Sequence, residues 1–198
     1  MFAKISSFWG CFNKQQKEKV FSDKMLKNIN QAFEDFDNRP IFKVLTEQII
    51  DSVSDENLLW LVMDNLQQKQ PKDFKSLYQT VMLWNKSQQA IYMIWELETE
   101  VNNGGFDQFY FNSSGQFYQH LPDALRLICA NKFADFVQEV NNTYERENEK
   151  IEEIWAGRCD EDSPLNDFST RFYDLYKEED LYQLQIDYIR KHKTDFIE

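Results

Sequence analysis

The chain has 198 residues, of which 42% are hydrophobic and 16% aromatic, and it carries a net charge of −12 at pH 7. This composition is typical of a packed globular domain and excludes a disordered chain. The negative charge disfavours direct binding to nucleic acid or to an anionic membrane surface, and it favours either solubility or a cationic partner.

The first 20 residues are predicted to form an amphipathic segment. Phe2, Ile5, Phe8, Trp9 and Phe12 recur at helical spacing and are followed by three lysines. Such a segment could lie on a membrane surface, but a short helix that covers the core is the favoured interpretation. We therefore divide the chain into this segment and a single domain over residues 21–198.

The rest of the sequence predicts an all-α fold with one long central helix. Pro and Gly are scarce, and apolar residues recur at intervals of three and four. Ser54 is the predicted N-cap of one helix, Pro71 opens the long helix and Pro122 suits a first turn. The predicted helices are Asp23–Phe36, Ile41–Ser52, Asp55–Gln68, Lys72–Val101, Phe106–Phe111, Pro122–Ala130, Lys132–Trp155, Leu165–Tyr176 and Glu178–His192.

A helical wheel of the long helix places one carboxylate among apolar residues. Glu98 falls inside an apolar arc, whereas Glu96 and Glu100 point elsewhere. An unpaired buried carboxylate is costly, so Glu98 should accept hydrogen bonds from the amides or Asn side chains of the following turn. The alternative interpretation is a general base with a raised pKa, which would make the protein a hydrolase that uses Glu98 or Glu100.

The turn after this helix concentrates glycine and aromatic residues. Three of the five glycines lie between Glu98 and Gly115. The glycines admit positive φ angles, and the Asn side chains are predicted to cap the helix end. The aromatic residues that follow are predicted to be core: they are Phe106, Phe109, Tyr110 and Phe111.

Other chemistries have little support. The only histidines are His120 and His192, without a companion nucleophile motif. A metal could use Glu96, Glu100, Asp107 and His120, but such spacing is common on solvated helices. The cysteines Cys11, Cys129 and Cys159 are odd in number and have no paired spacing. We expect no metal or other cofactor, no membrane span, and a cytoplasmic, non-catalytic protein.

The acidity is confined to the second half of the chain. Residues 1–95 hold 12 Lys/Arg and 11 Asp/Glu, whereas residues 96–198 hold 10 Lys/Arg and 23 Asp/Glu. Residues 135–180 hold 15 acidic and 5 basic residues. Carboxylates one helical turn apart are spaced about 5.4 Å along the axis, which is comparable with the spacing of phosphates on a nucleic-acid strand. The alternative is a solvated acidic surface without a partner.

The glycine block resembles the hallmark of a bacterial family of small all-α proteins named for a DNA-mimic protein, most of which have no assigned activity. The resemblance covers Lys72–Phe196 and implies an acidic protein that occupies the DNA-binding surface of a transcriptional regulator. Cys129 stands where a glycine is common in the family pattern, which implies a wider helix contact there. The structural hallmark comprises Glu98, Glu100, Asn102, Asn103, Gly104, Gly105, Phe106, Gln108 and Asn112.

The leading hypothesis from the sequence is an acidic protein-binding module that engages a basic protein, with DNA mimicry and transcription regulation as its specific form. The alternative is an immunity or antitoxin-type binding protein, which would use the same negative charge to bind its partner. A homodimer is compatible with either. The predicted partner-binding residues are Glu145, Glu149, Glu152, Glu153, Asp160, Glu161, Asp162, Glu178, Glu179 and Asp180.

Overall fold

The computed structural model describes Gln31, Glu34 and residues 37–159 and 162–197. Within these residues all regular secondary structure is helical, so the all-α prediction is confirmed. The same residues contain no helix that is both long and apolar enough to cross a membrane.

The chain forms two compact units, residues 1–41 and 42–198. In the first unit, the predicted amphipathic segment over residues 1–20 lies outside the described residues. The predicted helix Asp23–Phe36 also lies outside them, apart from two positions that are helical.

The second unit is built from α-helices joined by short connections, two of which contain 3₁₀ segments, and a third 3₁₀ segment follows the last helix. Among the described residues the helices are α1 (Glu47–Ser52), α2 (Asp55–Gln68), α3 (Leu77–Leu83), α4 (Lys86–Phe111), α5 (Leu121–Leu127), α6 (Asn131–Trp155), α7 (Asn166–Leu175) and α8 (Leu181–Lys191). The 3₁₀ segments are Phe74–Ser76, Ser113–His120 and Lys193–Asp195. Helices α5 and α7 each pack against both long helices, α4 and α6, while α2 contacts α4 and α8.

Several boundaries agree with the sequence signals. Helix α2 has the predicted bounds and is preceded by Ser54 as its N-cap, although the Ser54 hydroxyl accepts no main-chain hydrogen bond there. It accepts instead from the Asn57 side chain at 3.3 Å. Pro122 lies in the first turn of α5, where its missing N–H costs nothing.

The predicted long helix Lys72–Val101 is wrong at its beginning. The helix is interrupted between α3 and α4, and the Asn85 side chain caps α4 by accepting from the main-chain amide of Gln88 at 2.9 Å. The Gln89 side chain donates to the carbonyls of Met82 (3.0 Å) and Trp84 (2.6 Å). These bonds satisfy carbonyls at the end of α3, so the break is stabilised by polar side chains within an apolar pattern.

The prediction of a helix over Ile41–Ser52 is also too long. The helix begins at Glu47, because the Thr46 side chain accepts from the main-chain amide of Ile49 at 3.2 Å and so caps its first turn. The non-helical residues before Thr46 are held by α2, since the Asn65 side chain donates to the carbonyl of Lys43 at 2.9 Å.

A cluster of aromatic rings forms the centre of the core where α4, α6 and α7 meet. The fully buried Phe106 packs edge to face on Phe172, with 5.7 Å between ring centroids, and Phe172 contacts Phe133 at 5.4 Å. Phe136 completes the cluster at 5.9 Å from Phe106. Each such pair contributes about 0.5–1.5 kcal/mol beyond its area burial, so Phe106 fixes the end of α4 against both neighbours.

The backbone at Cys129, just after α5, gives a different reason for the family's glycine than the close helix contact that we expected Cys129 to widen. Cys129 has a φ of 67°, in the left-handed region. The main-chain amide of Ala130 donates to the carbonyl of Leu125 (2.9 Å) and that of Cys129 to Arg126 (3.0 Å), which defines a Schellman motif. Glycine suits this position because of its backbone conformation, not because of close packing.

We expect Cys129→Gly to raise the free energy of unfolding by about 1 kcal/mol, because glycine adopts the left-handed conformation without the Cβ penalty. Urea unfolding measures the change. Cys129→Ala is the matched control, since it removes the exposed thiol and keeps the strained Cβ. Equal unfolding midpoints for the Gly and Ala variants would contradict this account.

Candidate functional site

The glycine pair forms a kink inside a helix, not the open turn that the sequence predicts. Helix α4 runs through Asn102 and Asn103, departs from helical geometry at Gly104 and Gly105, and resumes at once with Phe106. Gly105 has a φ of 74° and a ψ of −173°, a conformation that only glycine adopts readily. The kink therefore redirects the last turn of α4.

One carboxylate clasps the two sides of the kink. Glu100 precedes the glycines, and its Oε2 accepts from the side-chain amides of Gln108 (2.5 Å) and Asn112 (2.7 Å), which follow them. Only 9% of Glu100 is exposed. The wheel-based expectation that Glu100 points away from the interior is wrong, because the kink folds the last turn of α4 back over it.

Helix α7 satisfies the main-chain groups that the kink releases. The Ser169 hydroxyl accepts from the amide of Phe106 at 3.3 Å, and the Tyr173 hydroxyl donates to the carbonyl of Val101 at 3.1 Å. Both bonds replace partners that an unbroken helix would supply. Capping by the adjacent asparagines, as predicted, is wrong: the side chains of Asn102 and Asn103 are exposed and bond to no described group.

The glycines also provide the space that these contacts need. A Cβ at Gly105 would lie 2.6 Å from the Ser169 Oγ, and a Cβ at Gly104 would collide with the Gln108 side chain. Gln108 therefore reaches Glu100 by crossing the bare backbone of Gly104. The two glycines are therefore required for two reasons. Gly105 adopts a backbone conformation that favours glycine, and both positions allow a polar side chain, Gln108 or Ser169, to approach the backbone closely.

Glu98 accepts hydrogen bonds as expected, but from different partners. Its Oε1 accepts from the Tyr176 hydroxyl (2.5 Å) and its Oε2 from the Gln185 side-chain amide (2.8 Å), whereas the turn amides were predicted. Burial raises the pKa of the Glu98 carboxyl, and the two hydrogen bonds partly oppose this shift. The sequence predicts that Glu98 supports the turn after the helix by accepting hydrogen bonds from it. In the structure Glu100 has this role instead.

Three of the four block aromatics are buried as predicted, and the fourth is not. Phe106, Phe109 and Tyr110 lie in the core. Phe111 is 67% exposed, so its assignment to the core is wrong. It ends the redirected turn of α4, where its ring meets Trp155 of α6 edge to face at 5.4 Å.

The redirected turn is bonded to the second half of α6. The Tyr110 hydroxyl donates to Asn141 Oδ1 at 2.6 Å, and its ring stacks on Tyr144 with 3.9 Å between centroids. Asp107 Oδ1 accepts from the Trp155 indole N–H (2.9 Å) and from the Ser163 hydroxyl (2.7 Å). These contacts fix the side of α6 that carries Asn141, Tyr144 and Trp155.

The exposed surface of α6 beside these contacts carries its predicted carboxylates. Glu145, Glu149, Glu152 and Glu153 are all exposed, and we call these four residues the α6 acidic face. Residues 145–155 contain five Glu against one Arg and one Lys. The sequence pattern therefore locates these four side chains on one exposed stretch of helix.

Two members of the α6 acidic face have partners within the chain. Arg158 donates to both carboxylate oxygens of Glu153, at 2.9 and 2.8 Å, and this contact lowers the pKa of Glu153. Glu145 accepts from the Tyr118 hydroxyl at 3.0 Å. Glu149 and Glu152 accept no hydrogen bond from a described residue. Glu152 also interacts electrostatically with Arg158, whereas Glu149 has neither a hydrogen bond nor an ion pair with a described residue.

The remaining predicted partner-binding residues lie elsewhere. Glu179 accepts from the main-chain amides of Lys132 (3.3 Å) and Phe133 (3.0 Å), at the opposite end of α6, roughly 25 Å along the axis from Glu149. Asp160 and Glu161 lie outside the described residues. Glu178 and Asp180, on either side of Glu179, also have structural contacts. Glu178 pairs with Lys132 at 3.0 Å, and Asp180 is the N-cap of α8.

Asp162 lies in a groove between α6 and the segment that enters α7. The groove has a volume of about 690 Å³, and Asp162 shares it with the charged side chains of Arg146, Glu147 and Lys150. Neither Glu98 nor Glu100 lines it. The metal candidates are not gathered either, because the described residues contain no group of three or more carboxylate, His or Cys ligands placed to hold an ion.

The comparisons with known proteins give one family. Residues 82–192 match the family model described as DMP19-like protein. No curated protein and no solved structure matches the chain. The match covers the kink, the aromatic cluster and the α6 acidic face.

This match corrects the family identified from the sequence. The resemblance pointed to a family defined by DNA mimicry over Lys72–Phe196. The match gives instead the DMP19-like protein family, within narrower limits and with a description that states no activity. What the chain binds is therefore a separate question from its family.

We expect Gly105→Ala to lower the free energy of unfolding by about 3 kcal/mol, because the alanine Cβ meets both an unfavourable backbone conformation and the Ser169 hydroxyl. Gly157→Ala is the matched control. Gly157 has a similar φ of 66°, but nothing lies within 4 Å of its added Cβ, so about 1 kcal/mol is expected. Equal losses in urea unfolding would show that the close approach at Gly105 is unimportant.

We expect Glu98→Gln to gain stability relative to the wild type as the pH rises above 4.5. The pKa of Glu98 is higher in the folded than in the unfolded chain, so the folded wild type binds the proton more tightly and loses stability as that proton dissociates. The glutamine lacks this loss. Gln185 can flip to accept from it, because its Oε1 is buried without a partner among the described residues.

Urea unfolding of both chains between pH 4.5 and pH 8 measures this difference. Glu149→Gln, at an exposed carboxylate, controls for the loss of one negative charge. A difference between wild type and Glu98→Gln that stays constant or shrinks with pH would contradict the assignment.

Proposed function

We propose that this chain, which belongs to the DMP19-like protein family, is a non-catalytic acidic module that binds a basic protein surface through the α6 acidic face. The single observation that carries the proposal is the exposure of Glu149 and Glu152 without a hydrogen-bonded partner among the described residues. Exposed charge on a fixed helix attracts a cationic surface with little reorganisation on binding.

The rigidity of this helix supports the proposal. The inner side of α6 is fixed by Tyr110, Asp107 and the aromatic cluster around Phe106. Side chains on a fixed helix keep a constant spacing, whereas carboxylates on a loop would reorganise on binding. The pattern of negative charge is thus built into the fold.

DNA mimicry is the specific form of this proposal. Glu145, Glu149 and Glu153 follow one another at intervals of four residues, which spaces them by about one helical turn, or 5.4 Å. Phosphates along one nucleic-acid strand rise about 3.4 Å per nucleotide, and DNA-binding proteins neutralise them with Lys and Arg. The partner in this form is a DNA-binding regulator, whose occupation would affect transcription.

The proposal is tested with the immobilised wild-type chain and two double variants in extract from the source organism. Glu149→Lys/Glu152→Lys reverses two exposed charges of the α6 acidic face and should abolish capture of a basic protein at 50 mM salt. Glu56→Lys/Asp123→Lys makes the same change in net charge at exposed positions on other helices and should retain capture. Raising the salt to 500 mM should release the captured protein, because screening weakens exposed charge pairs.

Competition experiments with the purified partner then distinguish DNA mimicry from the neutralisation of a toxin. Duplex DNA should displace it from the wild-type chain if the surface imitates DNA, whereas a toxin held by an immunity protein should stay bound. Capture that persists at high salt and after the double reversal in α6 would refute binding through the α6 acidic face.

A further inference from the structure

An exposed row of aromatic rings runs beside the α6 acidic face. It comprises Phe111, Trp155, Tyr144 and Tyr118, which we call the aromatic row. Ring centroids are 5.4 Å apart from Phe111 to Trp155, 6.5 Å from Trp155 to Tyr144, and 5.6 Å from Tyr144 to Tyr118. Phe111 is 67% exposed and the other three are half-buried, so the row reaches solvent along its length.

Carboxylates of the α6 acidic face flank this row. Glu145 accepts from the hydroxyl of Tyr118 at 3.0 Å. Glu152 lies close enough to Tyr144 to add to the effect of burial in raising the pKa of that phenol. The row therefore combines aromatic faces with nearby negative charge, and both attract cations.

The geometry at Phe111 suits a flat cation. The rings of Phe111 and Trp155 meet at 82° and form a corner, and 67% of Phe111 is exposed to solvent. A guanidinium group is planar, stacks on aromatic faces and is weakly hydrated, whereas an ammonium is a compact and strongly hydrated charge. The corner therefore favours arginine over lysine.

We propose that the aromatic row is an arginine-binding site in which a side chain of the basic partner stacks at the Phe111–Trp155 corner while the α6 acidic face neutralises its neighbours. This inference rests on the proposed function, since it places the row within the same interface. It adds a chemical preference that charge alone does not give, because carboxylates on a surface attract lysine and arginine alike.

The test compares fluorescent nonapeptides of arginine and of lysine, which carry equal charge, by anisotropy against the full chain. The wild type should bind the arginine peptide roughly threefold more tightly than the lysine peptide, as expected for an exposed cation–π contact. Phe111→Ala should abolish this ratio and leave lysine binding unchanged. Phe111→Tyr retains a ring and should keep the ratio.

Leu83→Ala is the matched control, because Leu83 is 86% exposed on a different helix and its loss should change neither affinity. Equal affinities of the wild type for the two peptides would overturn the arginine site, as would a ratio that survives in Phe111→Ala. Each result leaves the proposed function standing if both peptides still lose affinity in Glu149→Lys/Glu152→Lys. If both peptides bind this double variant as tightly as they bind the wild type, the proposed function itself is refuted.

Discussion

The fold of residues 42–198 depends on the clasp that Glu100 makes across the kink in α4. A buried carboxylate needs hydrogen-bond donors, and Gln108 and Asn112 can supply them only if the helix changes direction after Glu100. Gly104 and Gly105 permit that change, and α7 satisfies the main-chain groups it releases. The clasp and the kink therefore require each other, and together they turn Phe106 into the core.

This arrangement separates the scaffold from the surface. Among the hallmark residues, Glu100 bonds to Gln108 and Asn112, the two glycines permit the kink, and Phe106 fills the core, whereas Asn102 and Asn103 lie exposed. The redirected turn then bonds to α6 through Asp107 and Tyr110, and these contacts leave Glu149 and Glu152 facing solvent. Phe111, at the end of the same turn, is placed beside them. One local constraint thus positions both the charged and the aromatic parts of the proposed interface.

Periodicity predicted the helices that pack along one uninterrupted side, and it failed where a polar side chain caps the start of a helix. The apolar pattern continues through Asn85, so the break before α4 is visible only as a capping residue inside a regular repeat. A wheel treats a helix in isolation, and for this reason it could not foresee that the chain folds back over Glu100. The α6 acidic face could be located from sequence because its charges lie on one straight helix, while the exposure of Phe111 depends on where the kink directs it.

The most direct test of the account is zero-length cross-linking of carboxylates to amines in the complex with the captured basic partner. The account predicts that the joined residues are Glu145, Glu149 and Glu152, each linked to a lysine of the partner. Cross-links confined to Glu178 and Asp180, roughly 25 Å away at the other end of α6, would contradict it.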